Sequence, residues 1–170
     1  MKIETKILKE LAKIAPSPKD GRPNLECVRL DGKDGKARLW ATDGHCLVVY
    51  QLDAPAPEVA TSYQIAHIKK LGAKDIVYLE GNTLQDSRGQ LPLADDQSAP
   101  EIDNVIPEHN DGTTTATIGF KPRLMQRVMA CLEKIEPGIA AIFNLGTDAM
   151  APVTAEAGRA KAVIMPYRIK

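Results

Sequence analysis

The chain has 170 residues, 22 basic and 22 acidic side chains, and only 4% aromatic residues. That length is enough for one sizeable core or for a domain and a half. The formal net charge of zero excludes a generally cationic nucleic-acid binder, though not a local basic face. The three cysteines, Cys27, Cys46 and Cys131, lie far apart and form no Cys-x-x-Cys pair, which argues against a disulfide framework or a zinc site and for reduced thiols in a cytoplasmic protein. The N-terminus is amphipathic and lysine-rich, without the apolar core and cleavage site of a signal peptide. No window approaches the about 18 apolar residues of a membrane span.

In chain order, residues 5–15 carry the first helical pattern. Ile7, Leu8, Leu11 and Ile14 share one face, Lys6, Lys9 and Lys13 another, and Pro16 and Pro18 stop it. Strand-like runs follow at 25–30, 36–41 and 46–52. Asp31-Gly32 and Asp34-Gly35 separate the first two and Asp43-Gly44 the second two, a hairpin signal because such turns need residues that tolerate positive φ. The same order returns with a short helical pattern at 62–71, ended by Gly72, and strands at 76–80, 83–86 and 90–93. A third pass has a strand at 115–119, a helix from Pro122 to Ile135, and strands at 140–145, 150–155 and 162–169, broken at 146–148 and at Gly158. The helix ends share letters as well: Leu11-Ala12-Lys13-Ile14 matches Leu132-Glu133-Lys134-Ile135, with Ile68-Lys69-Lys70-Leu71 between them. The pattern is a β-α-β-β-β module used three times, at a spacing of roughly 60 residues.

Charge is distributed unevenly along these modules. Lys6, Lys9 and Lys13 lie on the first helix, His67, Lys69, Lys70 and Lys74 on the second and its exit, and Lys121, Arg123, Arg127 and Lys134 on the third. Acidic groups collect in the connector at Asp95, Asp96, Glu101, Asp103, Glu108 and Asp111. A basic stripe repeated on each helix is suited to neutralising phosphates without reading bases. Catalytic signals are absent. His45, His67 and His109 are scattered, and neither a zinc-protease, nucleophile-elbow nor phosphate-loop motif occurs. Residues 31–35 lack the alternating ligands of a calcium loop, so no metal or cofactor is expected. His45 and Cys46 are adjacent, but neighbours on a strand point to opposite faces and make a poor thiolate pair.

The segment Ala41-Thr42-Asp43-Gly44-His45-Cys46-Leu47 resembles the Ala-Thr-Asp-Gly-His-Arg-Leu segment of the bacterial sliding-clamp family, the β subunits of DNA polymerase III. The end of the chain, Ala162-Val163-Ile164-Met165-Pro166-Tyr167-Arg168-Ile169, is similar to that family's last strand and its Val-Met-Pro-x-Arg-Leu tail. Residues 101–107 resemble the family's run into the junction of its second and third domains, and Ile118-Gly119-Phe120 before a helix resembles the opening of its last module. The resemblance covers nearly the whole chain but only about half of the family's protein.

It implies an α+β clamp fold, with antiparallel sheets outside and helices on an inner basic surface. Residues 1–109 would form a clamp-like domain of two modules and 110–170 a single C-terminal half-domain. The implied function is non-enzymatic: a miniature processivity clamp that encircles or cradles double-stranded DNA without sequence specificity. It would tether a polymerase, clamp loader or repair protein through a hydrophobic cleft that receives short peptides. By match, the cleft consists of Thr42, Gly44, His45, Cys46 and Leu47, then Pro107, then Val163, Met165, Pro166, Tyr167 and Arg168. Leu47, Val163, Met165 and Pro166 suit Leu and Phe side chains, Met adapts to differently shaped ligands, and Gly44 permits close backbone approach. Lys6, Lys9, Lys13, Lys69, Lys70, Arg123, Arg127 and Lys134 are the expected DNA-facing residues. Cys46 stands where the family has arginine and Tyr167 where it has methionine, so peptide preference is expected to differ. Family rings hold about twelve modules, so three per chain implies a homo-oligomer of four chains, with the odd half-domains pairing about a two-fold axis. The other reading is an open adaptor or decoy that binds clamp-binding peptides without encircling DNA.

Overall fold

The computed structural model describes residues 1–17, 20–72, 75–95, 98–106, 118–145 and 151–167. Pro107, His109, Arg168, Lys74, Asp96, Glu108, Asp111, the 146–148 turn and residues 115–117 of the expected third-module strand lie outside that set.

The chain opens with a strand the sequence reading missed, β1 (Lys2–Glu4), which runs directly into α1 (Thr5–Ile14). Ile7, Leu8, Leu11 and Ile14 are buried as their spacing predicts. Strands β2 (Cys27–Lys33), β3 (Lys36–Thr42) and β4 (Cys46–Pro55) follow. Only one of the two expected turns between β2 and β3 exists. Asp34 and Gly35 take positive φ (51° and 75°) and form the corner, whereas Asp31-Gly32 lies inside β2. Gly32 has a different reason to be glycine, since a Cβ there would overlap that of Ala56 on the returning chain.

The second module departs further from expectation. Residues 62–71 are not one helix: β5 (Thr61–Gln64) takes the first part, and α2 is a single turn, Ile65–Ile68. The apolar positions Tyr63, Ile65 and Ile68 are buried, and β-pairing with β2 decides in favour of strand at the start. Strands β6 (Ile76–Glu80), β7 (Thr83–Asp86) and β8 (Gly89–Gln90) complete that module. The third has α3 (Pro122–Ile135), β9 (Ile142–Asn144), β10 (Val153–Ala157) and β11 (Ala160–Ile164). The last strand is shorter than expected, and Pro166, without an N–H to donate, follows it.

Among the described residues two antiparallel sheets result, one ordered β1-β6-β7-β8 and a seven-stranded one ordered β5-β2-β3-β4-β11-β10-β9. The first two modules exchange their leading strands: β1 pairs with β6, and β5 with β2. The third module joins the first through β4 and β11, with Leu47 opposite Val163 and Cys46 opposite Ile164. Strand alternation gives this sheet two buried faces. Leu39, Ala41, Val48, Tyr50 and Ile164 enter one core with α1 and α3. Trp40, Leu47, Val49 and Val163 form a second, smaller core with Ile102 of the connector, flanked by Ala99 and Ile106. The connector therefore covers the side of the sheet opposite the helices.

Candidate peptide cleft and basic surface

The turn between β3 and β4 is built from its own polar side chains. Asp43 Oδ1 accepts the backbone N–H groups of His45 and Cys46, both at 2.9 Å, and Thr42 Oγ1 accepts that of Gly44 at 3.0 Å while donating to the Cys46 carbonyl at 2.7 Å. Gly44 takes φ 82°, and a Cβ there would lie 2.8 Å from Arg22 Nη1. Burial raises the Asp43 pKa, but the two backbone donors and the Arg127 guanidinium, 2.8 Å from Oδ2, outweigh it and hold the carboxyl below its usual range.

The tail after β11 lies against this turn, with the Met165 N–H donating to the His45 carbonyl at 3.2 Å. Between them is a mostly apolar cavity of about 330 Å³. Thr42, Gly44, His45, Cys46, Leu47, Val163 and Met165 all line it, so segments more than a hundred residues apart meet here. Its remaining wall comes from Asn24, Leu25, Pro100, Glu101, Ile102 and Val105. None of these was among the expected cleft residues. The readable signal was the apolar triplet Ile102, Val105 and Ile106 inside an otherwise acidic connector.

Pro166 and Tyr167 do not share that cavity. They line a neighbouring one of about 320 Å³ with Asp43, Lys121, Leu124 and Arg127, and His45 and Met165 border both. The Tyr167 ring is exposed, and the Lys121 ammonium lies 5.1 Å from its centroid. Cys46 contributes little side chain to the cleft. Its thiol is buried in the helix-side core, 3.4 Å from Asp43 Oδ1, and burial pushes its pKa up to about 12.

The connector wall is held by a charge cluster. Arg38, only 4% exposed, donates to Asp103 through Nη1 at 2.7 Å and Nη2 at 3.1 Å, and to Asp31 through Nε at 2.5 Å. Lys33 reaches Asp103 at 2.9 Å, and Trp40 Nε1 donates to Asp31 at 2.8 Å. Two cations and two carboxylates balance, as a partly buried cluster requires. Hydrogen bonds from Arg38 hold the Asp103 pKa down at about 2.

On the helix side, the expected DNA-facing residues divide into groups. Lys13, Lys69, Arg123 and Arg127 line one broad depression of about 670 Å³, together with Arg22, which the sequence reading overlooked. Lys6 and Lys9 line another near the start of α1. Lys69 and Lys70 lie just beyond the single turn of α2 rather than on a helix face. Lys13 and Lys134 approach Glu10, at 2.6 and 3.8 Å. Arg127 is a structural tie, since besides Asp43 it donates to the Ile14 carbonyl at 2.6 Å and so fastens α3 to the end of α1.

No family model and no curated protein matches the sequence. Solved structures do match. A DNA polymerase sliding clamp from Pseudomonas aeruginosa superimposes with TM-score 0.70 at 16% identity, over 99% of this chain and 66% of that one. The Caulobacter crescentus pol III beta matches with TM-score 0.69 at 16% identity, over 99% of this chain and 66% of the other. The sliding clamp of Bacillus subtilis gives TM-score 0.69 at 16% identity, over 100% and 64%. The chain has the sliding-clamp fold. It spans 66% of the length of the first clamps it matches, as a shortened α+β version with antiparallel sheets.

Proposed function

We propose that this chain is a compact, non-enzymatic sliding clamp of the cytoplasm. It holds double-stranded DNA without sequence preference against its helix face and tethers a DNA polymerase, clamp loader or repair protein through the cleft at the β4–β11 seam. The observation that carries this reading is the apolar cavity walled by Leu47, Val163 and Met165, in which two distant motifs and the connector converge. Such a slot suits a short peptide ending in Leu and Phe, with the flexible Met165 at its mouth. On the other side of the sheet, Lys13, Arg22, Lys69 and Arg123 present cations around one concavity, and a ring that traps DNA topologically needs only weak phosphate contacts. In this reading four chains complete the ring, and Lys6, Lys9, Lys70 and Lys134 extend its inner surface.

The alternative is a decoy that takes the same peptides and leaves DNA alone. The zero net charge and the ion pairs of Lys13, Lys134 and Arg127 favour it. Retention on closed-circular against linear duplex, measured alongside binding of a fluorescent Leu-Phe peptide, separates the two. A clamp stays on the circle and runs off free ends. A decoy binds the peptide and is retained on neither, and failure to bind the peptide defeats both.

A further inference from the structure

The first two modules show how one module covers another. Each sends its leading strand into its sibling's sheet, and the residue before the helix sits opposite the first residue of the sibling's strand: Glu4 opposite Ile76, and Gln64 opposite Cys27. The next position in, Val77 or Val28, is fully buried under the incoming strand. The third module has the same strand-to-helix corner. The residues before the three helices share one backbone conformation, with φ/ψ of −70°/126° at Glu4, −61°/121° at Gln64 and −67°/121° at Lys121.

The parallel extends to the outer edge. Beside β5, Ala94 N–H donates to the carbonyl of Ser62, two residues before Gln64; beside the third corner, Tyr167 N–H donates to the carbonyl of Gly119, two residues before Lys121. In the second and third modules the module's own tail thus closes one edge of its leading segment. The other edge of β5 carries β2. Among the described residues the corresponding edge at 118–121 carries no strand, and β9 ends the seven-stranded sheet with nothing beyond it. In place of buried Val28 and Val77 stands Phe143, 40% exposed, next to Ile142 at 65% and near Leu145 at 55%. An open apolar edge of this kind is a template for strand addition.

We infer that a second copy of this chain docks here, third module against third module. Residues 118–121 of each copy add to β9 of the other, about a two-fold axis. Carrying over the internal register places Lys121 of one copy opposite Ile142 of the other, Phe120 opposite Phe143 and Gly119 opposite Asn144. The occupant is a second copy because the open segment and the open edge are the two halves of one reciprocal exchange, which this chain already makes between its first two modules. A two-fold operation satisfies both at once and leaves neither edge free. This deepens the ring reading by naming one of its contacts, and its test uses no DNA.

Sedimentation velocity of the whole chain should show dimers or larger even-numbered assemblies at micromolar concentration. Phe143→Asp and Ile142→Lys change exposed side chains and should leave the thermal melt intact while weakening association by about tenfold or more. A Phe120→Cys, Phe143→Cys double variant should form a copy-to-copy disulfide on oxidation, doubling the mass on a non-reducing gel, because Cys27, Cys46 and Cys131 are buried. A monomer at all concentrations, association unaffected by both charge variants, or a cross-link formed only within a chain overturns the inference. Both charge variants should bind the Leu-Phe peptide as the parent does. Loss of peptide binding with the dimer intact would count against the cleft reading and not against this one.

Discussion

Replacing Asp103 by asparagine tests how the cleft wall is held. Asp103 lies on the connector turn between Ile102 and Val105, both of which line the cavity, and it accepts three hydrogen bonds from Arg38 and Lys33. Its pKa falls from the ordinary 3.8 to about 2, chiefly through Arg38. At about 1.36 kcal/mol per unit that is about 2.5 kcal/mol. Because the Asp103 side chain is 39% exposed, solvent screening reduces the contribution to about 1 kcal/mol. The sign follows from the depressed value: the contribution is complete above the unfolded pKa near 4 and disappears as pH falls through about 2. Urea unfolding followed by Trp40, the single tryptophan, should therefore show Asp103→Asn less stable by about 1 kcal/mol at neutral pH. That difference should shrink toward zero by about pH 2. Peptide affinity should fall several-fold with it, because the freed wall carries Ile102 and Val105. An equal difference at both pH values, or none at neutral pH, would refute the electrostatic account.

Met165 is 41% exposed and Leu47 only 3%, so alanine should act differently at each. Met165→Ala should weaken Leu-Phe peptide binding with little change in the melt, whereas Leu47→Ala should lose about 2–3 kcal/mol of stability as well. Arg127→Gln should cost about 1–2 kcal/mol in urea unfolding, since it leaves the Ile14 carbonyl and Asp43 without their shared donor. Its effect on retention on circular DNA should not exceed that of the exposed Arg123→Gln. Burial raises the Cys46 and Cys131 thiols to about 12, so iodoacetamide should label neither in the folded protein at mildly alkaline pH. Mass spectrometry before and after denaturation checks this, and rapid native labelling of either would contradict it.

What could be read from the sequence depended on how much of each signal was local. α1 and α3 have apolar residues at helical spacing and proline punctuation, and their observed limits differ from expectation by a residue at most. The 62–71 segment failed because Tyr63, Ile65 and Ile68 satisfy strand and helix templates equally well, and the choice is made by β2, which lies more than thirty residues earlier. β1 was missed for the same reason, since three residues carry no period and its partner is β6. Asp31-Gly32 looked like a turn because its chemistry is turn chemistry, yet Asp31 serves Arg38 and Trp40, and Gly32 makes room for Ala56. The cleft was partly legible because its two motifs are contiguous. Ile102 and Val105 were not, because their role depends on the connector folding back over Trp40 and Val49.

The Thr42–Cys46 turn borders both the apolar cavity and the basic depression. Its backbone and His45 border the apolar cavity, while Asp43 and the same His45 border the basic depression. The fastening between them is Asp43: two of its bonds shape the turn and a third, to Arg127, reaches the junction of α1 and α3. In the proposed clamp, a peptide that displaced His45 from the cleft would therefore act on the group that holds Arg127 in place. An anion that drew Arg127 away from Asp43 would act on the turn that shapes the cleft. Whatever coupling this produces must be equal in both directions, since linkage between two binding equilibria is reciprocal. The apolar slot and the cationic hollow lie on opposite sides of a single strand pairing, and this one hairpin corner joins them, so in the proposed clamp it is where binding at either surface would bear on the other.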